Sequence, residues 1–351
     1  MADETDATRA GWASAFVARA RAHWTAERVT ALAAGKALVL PPIEAALLLR
    51  ALGLLRADGS LPPTEVRKYW QVSHMVTVLG PALRRLRART GTIRVIDAGC
   101  GRSYLTMVLA WVAREQWQQR LEVLGIDRDA DVIAAGQRRA AVAGLDDVVK
   151  FVAAPLAGLD VRAAWPIAFV RKPDDATAAT AATAATAATA ATAGGGDATA
   201  DTFAAFAAFD TIDAVVALHA CDTATCDAIA LGVATGADLI AVAPCCQAEL
   251  ARGWTALADA GAAGAFAPIW SMPHLRRETA AEMTDAMRTL LLRAAGYDVA
   301  AIEFVPSPHT RKNTLIRALR HGAADPAARA AHDELVTATG GIALALATRL
   351  R

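Results

Sequence analysis

The stretch "VIDAGCGRSYL", residues 95–105, indicates how the main part of the chain folds. A short apolar run ends in Asp97, and Gly99 and Gly101 follow it closely. Glycines let the backbone turn sharply and let a ligand lie against it, while the next helix offers free amide donors. Tyr104 occupies the position of the third glycine in the dinucleotide fingerprint, which disfavours a pyrophosphate ligand. The stretch predicts a strand–turn–helix unit with a ligand at the turn.

A second acid ends the next apolar run, in "LGIDRD" at residues 124–129. In this position the carboxylate of Asp127 can accept hydrogen bonds from both hydroxyls of a ribose. Dehydrogenases and methyltransferases share the arrangement. The acid therefore predicts a nucleoside ligand without specifying which one.

Strand-like apolar runs alternate with helix-length segments from Ile93 onward. This alternation predicts a parallel sheet with helices on both faces. The final run, "YDVAAIEFVPSPHTRKNTLIRAL" at 297–319, reads as two strands joined by a loop that contains proline, which predicts an antiparallel closing hairpin. The expected fold is α/β: a Rossmann-like, seven-stranded, mostly parallel sheet.

Composition divides the chain into three parts. Residues 1–90, rich in alanine, leucine and arginine, predict a helical N-terminal cap, and residues 91–320 hold the α/β domain. An Ala/Thr repeat of period three, at about 174–202, predicts a low-complexity insertion in that domain. Residues 321–351 predict a helical tail.

The overall charge and the cysteines limit the class of protein. The net charge of +1 gives no bulk electrostatic case for nucleic acid. The basic run Arg84–Arg89 is the local exception, either as a solvated helix end or as a patch that contacts phosphate. We expect no membrane segment, no secretory signal and, with five cysteines, no disulfide framework. A cytoplasmic protein is the simplest interpretation.

Two motifs together resemble a known family. The stretch "VIDAGCG" at 95–101, followed by the acid of "GID" at 125–127, is similar to motifs I and II of class I S-adenosylmethionine-dependent methyltransferases. The closing hairpin also resembles theirs and separates them from nicotinamide dehydrogenases. More narrowly, "ALHACDTATCDAIA" (217–230), "VAPCCQAEL" (242–250) and "HTRKNTLIRA" (309–318) resemble the subgroup related to methyltransferase-like protein 25. That subgroup is similar to the glutathione S-transferase C-terminal domain-containing methyltransferases and, more distantly, to tRNA 2′-O-methyltransferases.

The resemblance implies S-adenosyl-L-methionine as the cofactor. It places Asp97, Gly99 and Gly101 at the methionine side and Asp127 at the ribose. Many relatives also carry an acid after the third strand that binds the adenine amine, but "KFVAAPLAG" at 150–158 has none.

Three further contacts to the cofactor are expected from the resemblance. Ala154 and Leu156 become the apolar neighbours of the adenine. The helix before the first strand commonly covers the cofactor in this family, which places Gln71 near it. Lys68 and His74 share the spacing of three and could lie on the same face of that helix as Gln71.

The turns after the fourth and fifth strands carry the candidate chemistry. Both turns should end beside the cofactor's methyl group, because sites in open α/β sheets lie at the carboxyl ends of the strands, where the strand order switches. His219 could act as a general base, with Asp222 orienting it or binding substrate. Alternatively, His219 bonds backbone or cofactor, and Asp222 caps the helix that follows it.

Substrate contacts are expected from Cys245 and Cys246 and from Lys312 and Asn313 in the closing hairpin. A zinc site of His219, Cys221, Cys245 and Cys246 is an alternative, but adjacent cysteines fit a tetrahedral ion poorly. We therefore expect no metal. A redox-active cysteine pair is a further alternative.

The functional hypothesis is methyl transfer from S-adenosylmethionine to an acceptor, with RNA as the leading class. RNA is favoured by the distant tRNA-modifying relatives and by the local basic patches, and the analogy is at the level of the fold. Protein side chains and small molecules remain open as acceptors. The alternatives of another class are a non-catalytic S-adenosylmethionine-binding scaffold and a nicotinamide oxidoreductase.

Overall fold

A computed structural model describes residues 2–169, 211–218, 220, 222–245, 247–303 and 314–350, with backbone alone at 2–10 and 87–90. Within these residues, seven strands form one sheet: β1 Thr92–Ala98, β2 Arg120–Asp127, β3 Val149–Ala153, β4 Ala214–Leu218, β5 Leu239–Ala243, β6 Tyr297–Glu303 and β7 Thr314–Arg320. The helices of this part of the chain are α1 Ala2–His23, α2 Ala26–Ala33, α3 Ala46–Ala51, α4 Pro63–Thr90, α5 Tyr104–Glu115, α6 Ala130–Ala143, α7 Val161–Phe169, α8 Thr223–Ala234, α9 Ala248–Asp259, α10 Ala267–Trp270, α11 Pro273–Ala294, α12 Pro326–Ala338 and α13 Ala345–Arg349. The predicted Ala/Thr insertion lies outside the described residues.

The strand order is β3-β2-β1-β4-β5-β7-β6. Strands β1 to β5 pair in parallel, and β7 runs antiparallel between β5 and β6. Because β1 pairs with β2 on one side and with β4 on the other, the strand order switches beside β1. This topology confirms the predicted Rossmann-like sheet of a class I methyltransferase fold, with its antiparallel closing pair and helical N-terminal cap.

Alternate residues of the central strand face two separate cores. Ile93 and Val95 pack into one hydrophobic cluster, while Ile96 and Ala98 pack into the other. The first cluster also holds side chains of the N-terminal helices from Phe16 to Leu86, so the cap shares a core with the sheet. A buried bond from the Tyr69 hydroxyl to the Leu40 carbonyl (2.9 Å) fixes α4 against the segment before it.

The C-terminal tail packs against the second core. Leu344 and Leu346 are buried there. The indole Nε1 of Trp254, in α9, donates to the Thr339 carbonyl at 2.7 Å, and α12 contacts α11. The tail is therefore an integral part of the fold.

No helix among the described residues is both long and apolar enough to cross a membrane.

The ring of Phe151, in β3, fills a space that two glycines leave open. A Cβ added at Gly125, in β2, would lie 2.7 Å from the Phe151 ring and 3.2 Å from the sulfur of Cys100. At Gly136, in α6, it would lie 2.9 Å from the same ring. The small residues thus allow α6 and β2 to close around the aromatic side chain.

We predict that Gly125→Ala lowers the free energy of unfolding by about 1–3 kcal/mol, because the methyl group overpacks this junction. The matched control is Gly11→Ala in α1, where nothing lies within 4 Å of the added methyl. That change should stabilise the protein by about 0.5–1 kcal/mol, since alanine is the better helix former. Urea denaturation measures both, and equal effects of the two substitutions would contradict the packing account.

Candidate active site

A cavity of about 510 Å³ opens where β1, β2 and β4 end. The cavity is lined by Glu65, Lys68, Asp97, Gly99, Cys100, Gly101, Arg102, Tyr104, Leu105, Asp127 and Leu218. These residues come from α4, from the end of β1 with the turn and the start of α5 that follow it, and from the ends of β2 and β4. The cavity therefore lies at the switch in strand order, as expected for an open α/β sheet.

The glycine turn is tied to the end of β2 by backbone bonds. The amides of Gly99 and Cys100 both donate to the Ile126 carbonyl, at 2.8 and 2.9 Å. Gly99 and Gly101 have φ angles of 72° and 50°, which glycine adopts without steric cost. The turn thus delivers the N-terminus of α5 to the cavity wall.

Asp97 presents a buried carboxylate at the base of this turn. The residue is 1% exposed, and the Thr106 hydroxyl donates to its Oδ2 at 2.5 Å. Burial raises the pKa of Asp97 to about 6, the bond from Thr106 opposes that rise, and the charge of Asp127 adds to it. A positively charged ligand in the cavity would therefore favour the ionised form of Asp97.

Asp127 provides the second carboxylate, at the carboxyl end of β2. Its Oδ2 accepts from the Gly101 amide at 3.0 Å and its Oδ1 from the Asp129 amide at 3.1 Å. These bonds orient a half-buried carboxylate along the cavity wall. The two predicted acids and both predicted glycines are thus brought together in one cavity.

Lys68 and Arg102 add positive charge at the same cavity. The Lys68 ammonium lies 4.8 Å from the centre of the Tyr104 ring, and the Arg102 guanidinium lies 5.6 Å from it. Burial lowers the pKa of Lys68, and the charge of Arg102 lowers it further. Such a pair offers a carboxylate or a phosphate a charged partner over an aromatic face.

Three predicted cofactor contacts lie beside the cavity without lining it. Gln71, one helical turn beyond Lys68, is half-buried, and the lining residues of α4 are Glu65 and Lys68. Ala154 and Leu156 pack partly buried against the second core, and the Ala154 amide donates to the Asp127 carbonyl at 2.9 Å. Their contacts with a cofactor stay predictions.

Leu218 carries β4 into the cavity wall immediately before His219. His219 itself lies outside the described residues, as do Cys246, Lys312 and Asn313. Their roles stay predictions. Cys245, at the end of β5, is half-buried.

Asp222 makes contacts that its sequence position did not reveal. Its Oδ1 accepts from the amides of Ala248 and Glu249, at 3.1 and 2.9 Å, and its Oδ2 pairs with Arg252 at 2.7 Å. Asp222 does occupy the N-cap position of its own following helix, α8, but its side chain makes no capping bond there. Its carboxylate caps α9, which follows the next strand.

The zinc alternative rests mainly on residues that are not described. His219, Cys221 and Cys246 lie outside the described residues. Within the described part of the chain, no group of three or more His, Cys, Asp or Glu side chains could hold a metal ion.

The family comparison identifies the domain that contains this cavity. The family model described as "Methyltransferase domain" matches residues 67–253, which is more than half of the chain. The chain belongs to this methyltransferase family. None of the curated proteins matches the sequence.

Several solved structures are similar to the methyltransferase at low identity. Magnesium protoporphyrin IX methyltransferase from Synechocystis PCC 6803, solved with bound S-adenosylmethionine, is 16% identical, with a TM-score of 0.38 over 78% of this chain and 90% of that one. A Podospora anserina methyltransferase solved with S-adenosylhomocysteine is 14% identical, with a TM-score of 0.35 over 78% and 87% of the two chains. The O-methyltransferase from Bacillus cereus is 12% identical, with a TM-score of 0.34 over 78% and 91%.

The cavity has the charged groups and the size that suit S-adenosylmethionine, the cofactor of this methyltransferase. Its volume falls within the range of about 300–1,000 Å³ that is typical of small-molecule sites. Asp97 and Asp127 would hold the cofactor's positive groups and ribose hydroxyls, and Lys68 or Arg102 would hold its carboxylate. Lys68 and Gln71 are three residues apart and share a face of α4, so their positions along the helix axis decide which of them reaches the cavity.

The basic run Arg84–Arg89 lies far from this cavity. Sixteen residues of the same helix separate Lys68 from Arg84, which is about 24 Å at 1.5 Å per residue. The Arg84 guanidinium packs 5.5 Å from the Trp117 ring. The run therefore lies towards the amino ends of the parallel strands, where β1 begins, and the cavity lies at their carboxyl ends.

We predict that S-adenosylmethionine binding by the methyltransferase weakens about tenfold between pH 7 and pH 5. The reason is that a carboxyl with a pKa of about 6 is protonated at pH 5 and no longer attracts the cofactor's positive charge. Thr106→Val removes a bond that favours the ionised form of Asp97. In this variant the fall in affinity should therefore occur at a higher pH. Calorimetric titration across this range tests both. An affinity that does not change with pH would show that Asp97 does not sense the cofactor's charge.

Proposed function

We propose that this methyltransferase transfers the methyl group of S-adenosylmethionine to RNA. The observation that supports an RNA acceptor is a cluster of four cations that we call the basic rim. Lys68 and Arg102 line the cavity, and Arg139, which bonds to the Arg102 backbone, extends the cluster along α6 with its chain neighbour Arg138. The distant resemblance to tRNA-modifying enzymes, drawn from the sequence, points to the same class of acceptor.

The basic rim concentrates like charges on adjoining elements. The Arg139 guanidinium, from α6, donates to the Arg102 carbonyl at 3.4 Å. Burial lowers the pKa of Arg139, and the charges of Arg102 and Arg138 lower it further. Within the described part of the chain, none of the four rim residues forms a salt bridge. Such a cluster is stabilised when an anion binds to it.

The number of rim charges exceeds what the cofactor needs. The cofactor has one carboxylate, which a single ammonium or guanidinium can neutralise. The other cations of the rim are then available for phosphates, and arginine matches phosphate geometry with two parallel hydrogen bonds. Because the net charge of the chain is only +1, this attraction is local to the cavity.

The proposed reaction is an in-line displacement at the methyl carbon. S-adenosylmethionine supplies that methyl group on a positively charged sulfur. A lone pair of the acceptor forms the new bond to carbon, the carbon–sulfur bond breaks, and S-adenosylhomocysteine leaves. In this proposal His219 removes the proton of the acceptor, and Cys245, Cys246, Lys312 and Asn313 contact the substrate.

Two finer assignments belong to the same proposal. The narrower likeness to methyltransferase-like protein 25 is supported by the three motifs at 217–230, 242–250 and 309–318. A cytoplasmic location is supported by the buried thiols of Cys100 and Cys226, neither of which is in a disulfide. Burial raises the pKa of the Cys226 thiol, so it stays protonated and serves in packing.

We predict that Arg138→Ala together with Arg139→Ala weakens RNA binding and lowers its salt dependence. Each lost phosphate contact removes about 0.7 from the slope of log K against log salt on single strands, so the pair should remove about 1.4. Fluorescence anisotropy with a labelled single-stranded RNA between 50 and 200 mM salt measures the slope. The matched control is Arg84→Ala with Arg85→Ala, two exposed residues of the distant basic run.

The two pairs separate the possible outcomes. If the Arg84/Arg85 substitutions lower the salt slope and the Arg138/Arg139 substitutions do not, RNA binds at the amino ends of the parallel strands. The proposed acceptor position would then be wrong. If tritiated S-adenosylmethionine labels only protein or small molecules from a lysate, the acceptor is not RNA. If it labels nothing while cofactor binding is intact, a non-catalytic binding protein is the better description.

A further inference from the structure

The methyltransferase contains a buried ion pair that lies outside the cofactor cavity. Arg288, in α11, is completely buried, and its Nη1 lies 3.0 Å from Oδ1 of Asp285, one turn earlier. A buried ion pair is often no more stabilising than apolar side chains of the same size, because both charges lose their hydration. Its Nε also has no partner among the described residues. Stability alone therefore explains the pair poorly.

The Arg288–Asp285 pair contacts the turns that follow two neighbouring strands. Nη2 of Arg288 donates to the Asp222 carbonyl at 2.9 Å, in the turn after β4. Oδ2 of Asp285 accepts from the Gln247 amide group at 2.9 Å, in the turn after β5. One buried pair thus connects both turns to the same helix.

The turn after β4 needs such support. Asp222 has φ 51° and ψ −116°, a backbone region that a residue with a side chain rarely adopts and that persists only where its surroundings hold it. Its carboxylate also accepts from the amides of Ala248 and Glu249, which lie just after the β5 turn. The two turns are therefore linked directly to each other as well as through α11.

We infer that Arg288 and Asp285 are positioning residues for methyl transfer, which hold the turns after β4 and β5 in fixed register beside the cavity. Leu218, the last residue of β4, already lines that cavity. By sequence, the two turns carry His219 and Cys245, to which the proposed function assigns proton removal and substrate contact. The inference depends on methyl transfer and not on the class of acceptor.

The test replaces the pair with apolar side chains of similar size, in the double variant Arg288→Met/Asp285→Leu. Removing both members leaves neither charge of the pair buried without its partner, so the fold should survive. Its melting temperature should fall moderately, because the Asp222 carbonyl and the Gln247 amide each lose a bond. The matched control is Arg293→Met on the same helix, whose guanidinium reaches the Val299 carbonyl at 3.5 Å instead of either turn. Gln247→Met, which cuts only the link to the β5 turn, is a milder second variant.

We expect the double variant to bind S-adenosylmethionine within about twofold of the wild type and to lose tenfold or more in kcat, a difference of about 1.4 kcal/mol in the barrier. The kcat values are measured with the lysate fraction that the wild type labels. The comparison between wild type and variants is therefore valid even if the acceptor is not RNA. Amide hydrogen exchange should rise in peptides covering 220–226 and 244–250 and stay unchanged in the control. Gln247→Met should show a smaller loss of kcat and faster exchange at 244–250.

Two results would overturn the inference. The first is unchanged exchange in both turns of the double variant, a measurement that requires no acceptor. The second is unchanged kcat per folded molecule, which would show that the pair serves only the fold. If the double variant does not fold, Gln247→Met provides the test. A wild-type kcat together with wild-type exchange at 244–250 in this variant would show that Asp285 does not position the β5 turn.

Discussion

The site depends on a three-way attachment between the turn after β1 and the end of β2. The Ile126 carbonyl accepts from two successive amides of the turn, Gly99 and Cys100, and the Asp127 carboxylate accepts from a third, Gly101. These bonds fix the position of the glycines relative to the second strand. As a consequence, Asp97 and Asp127 face one cavity although thirty residues separate them in sequence.

Hydrophobic burial on both faces of the sheet keeps this attachment rigid. β1 sends alternate residues into two cores, one built with the N-terminal helices and one with the C-terminal helices. The helical cap is therefore part of the structure that supports the cavity, and α4 contributes Glu65 and Lys68 to its wall. On the other side of the strand switch, Asp222 and α11 organise the turns after β4 and β5. The cofactor side and the acceptor side are thus stabilised by different sets of contacts.

Patterns of local origin were predictable from the sequence. Apolar runs ending in acid or glycine located the strands, and the closing hairpin was recognised from its Pro-containing loop. Within the cap, α4 buries Met75, Leu79 and Leu83. Trp70 packs partly buried against the same core, with the Lys36 ammonium 5.3 Å from its ring.

Contacts between distant residues could not be predicted in this way. The choice between Lys68 and Gln71 depends on where along its length α4 passes the cavity, which tertiary packing decides. The carboxylate of Asp222 caps a helix that begins 26 residues later, whereas sequence reasoning considers the nearest helix first. The role of Arg288 depends on three segments that meet only in the folded chain.

The central claim is that the cavity between Asp97 and Asp127 binds S-adenosylmethionine. The most direct test is calorimetric titration of the wild type and of Asp127→Ala with S-adenosylmethionine, S-adenosylhomocysteine and NADH. Asp131→Ala, which changes an exposed acid of the neighbouring helix, is the control. We predict micromolar binding of both sulfur nucleosides, weakened at least tenfold (about 1.4 kcal/mol) by Asp127→Ala alone. Absence of binding, or a preference for NADH, would contradict the account.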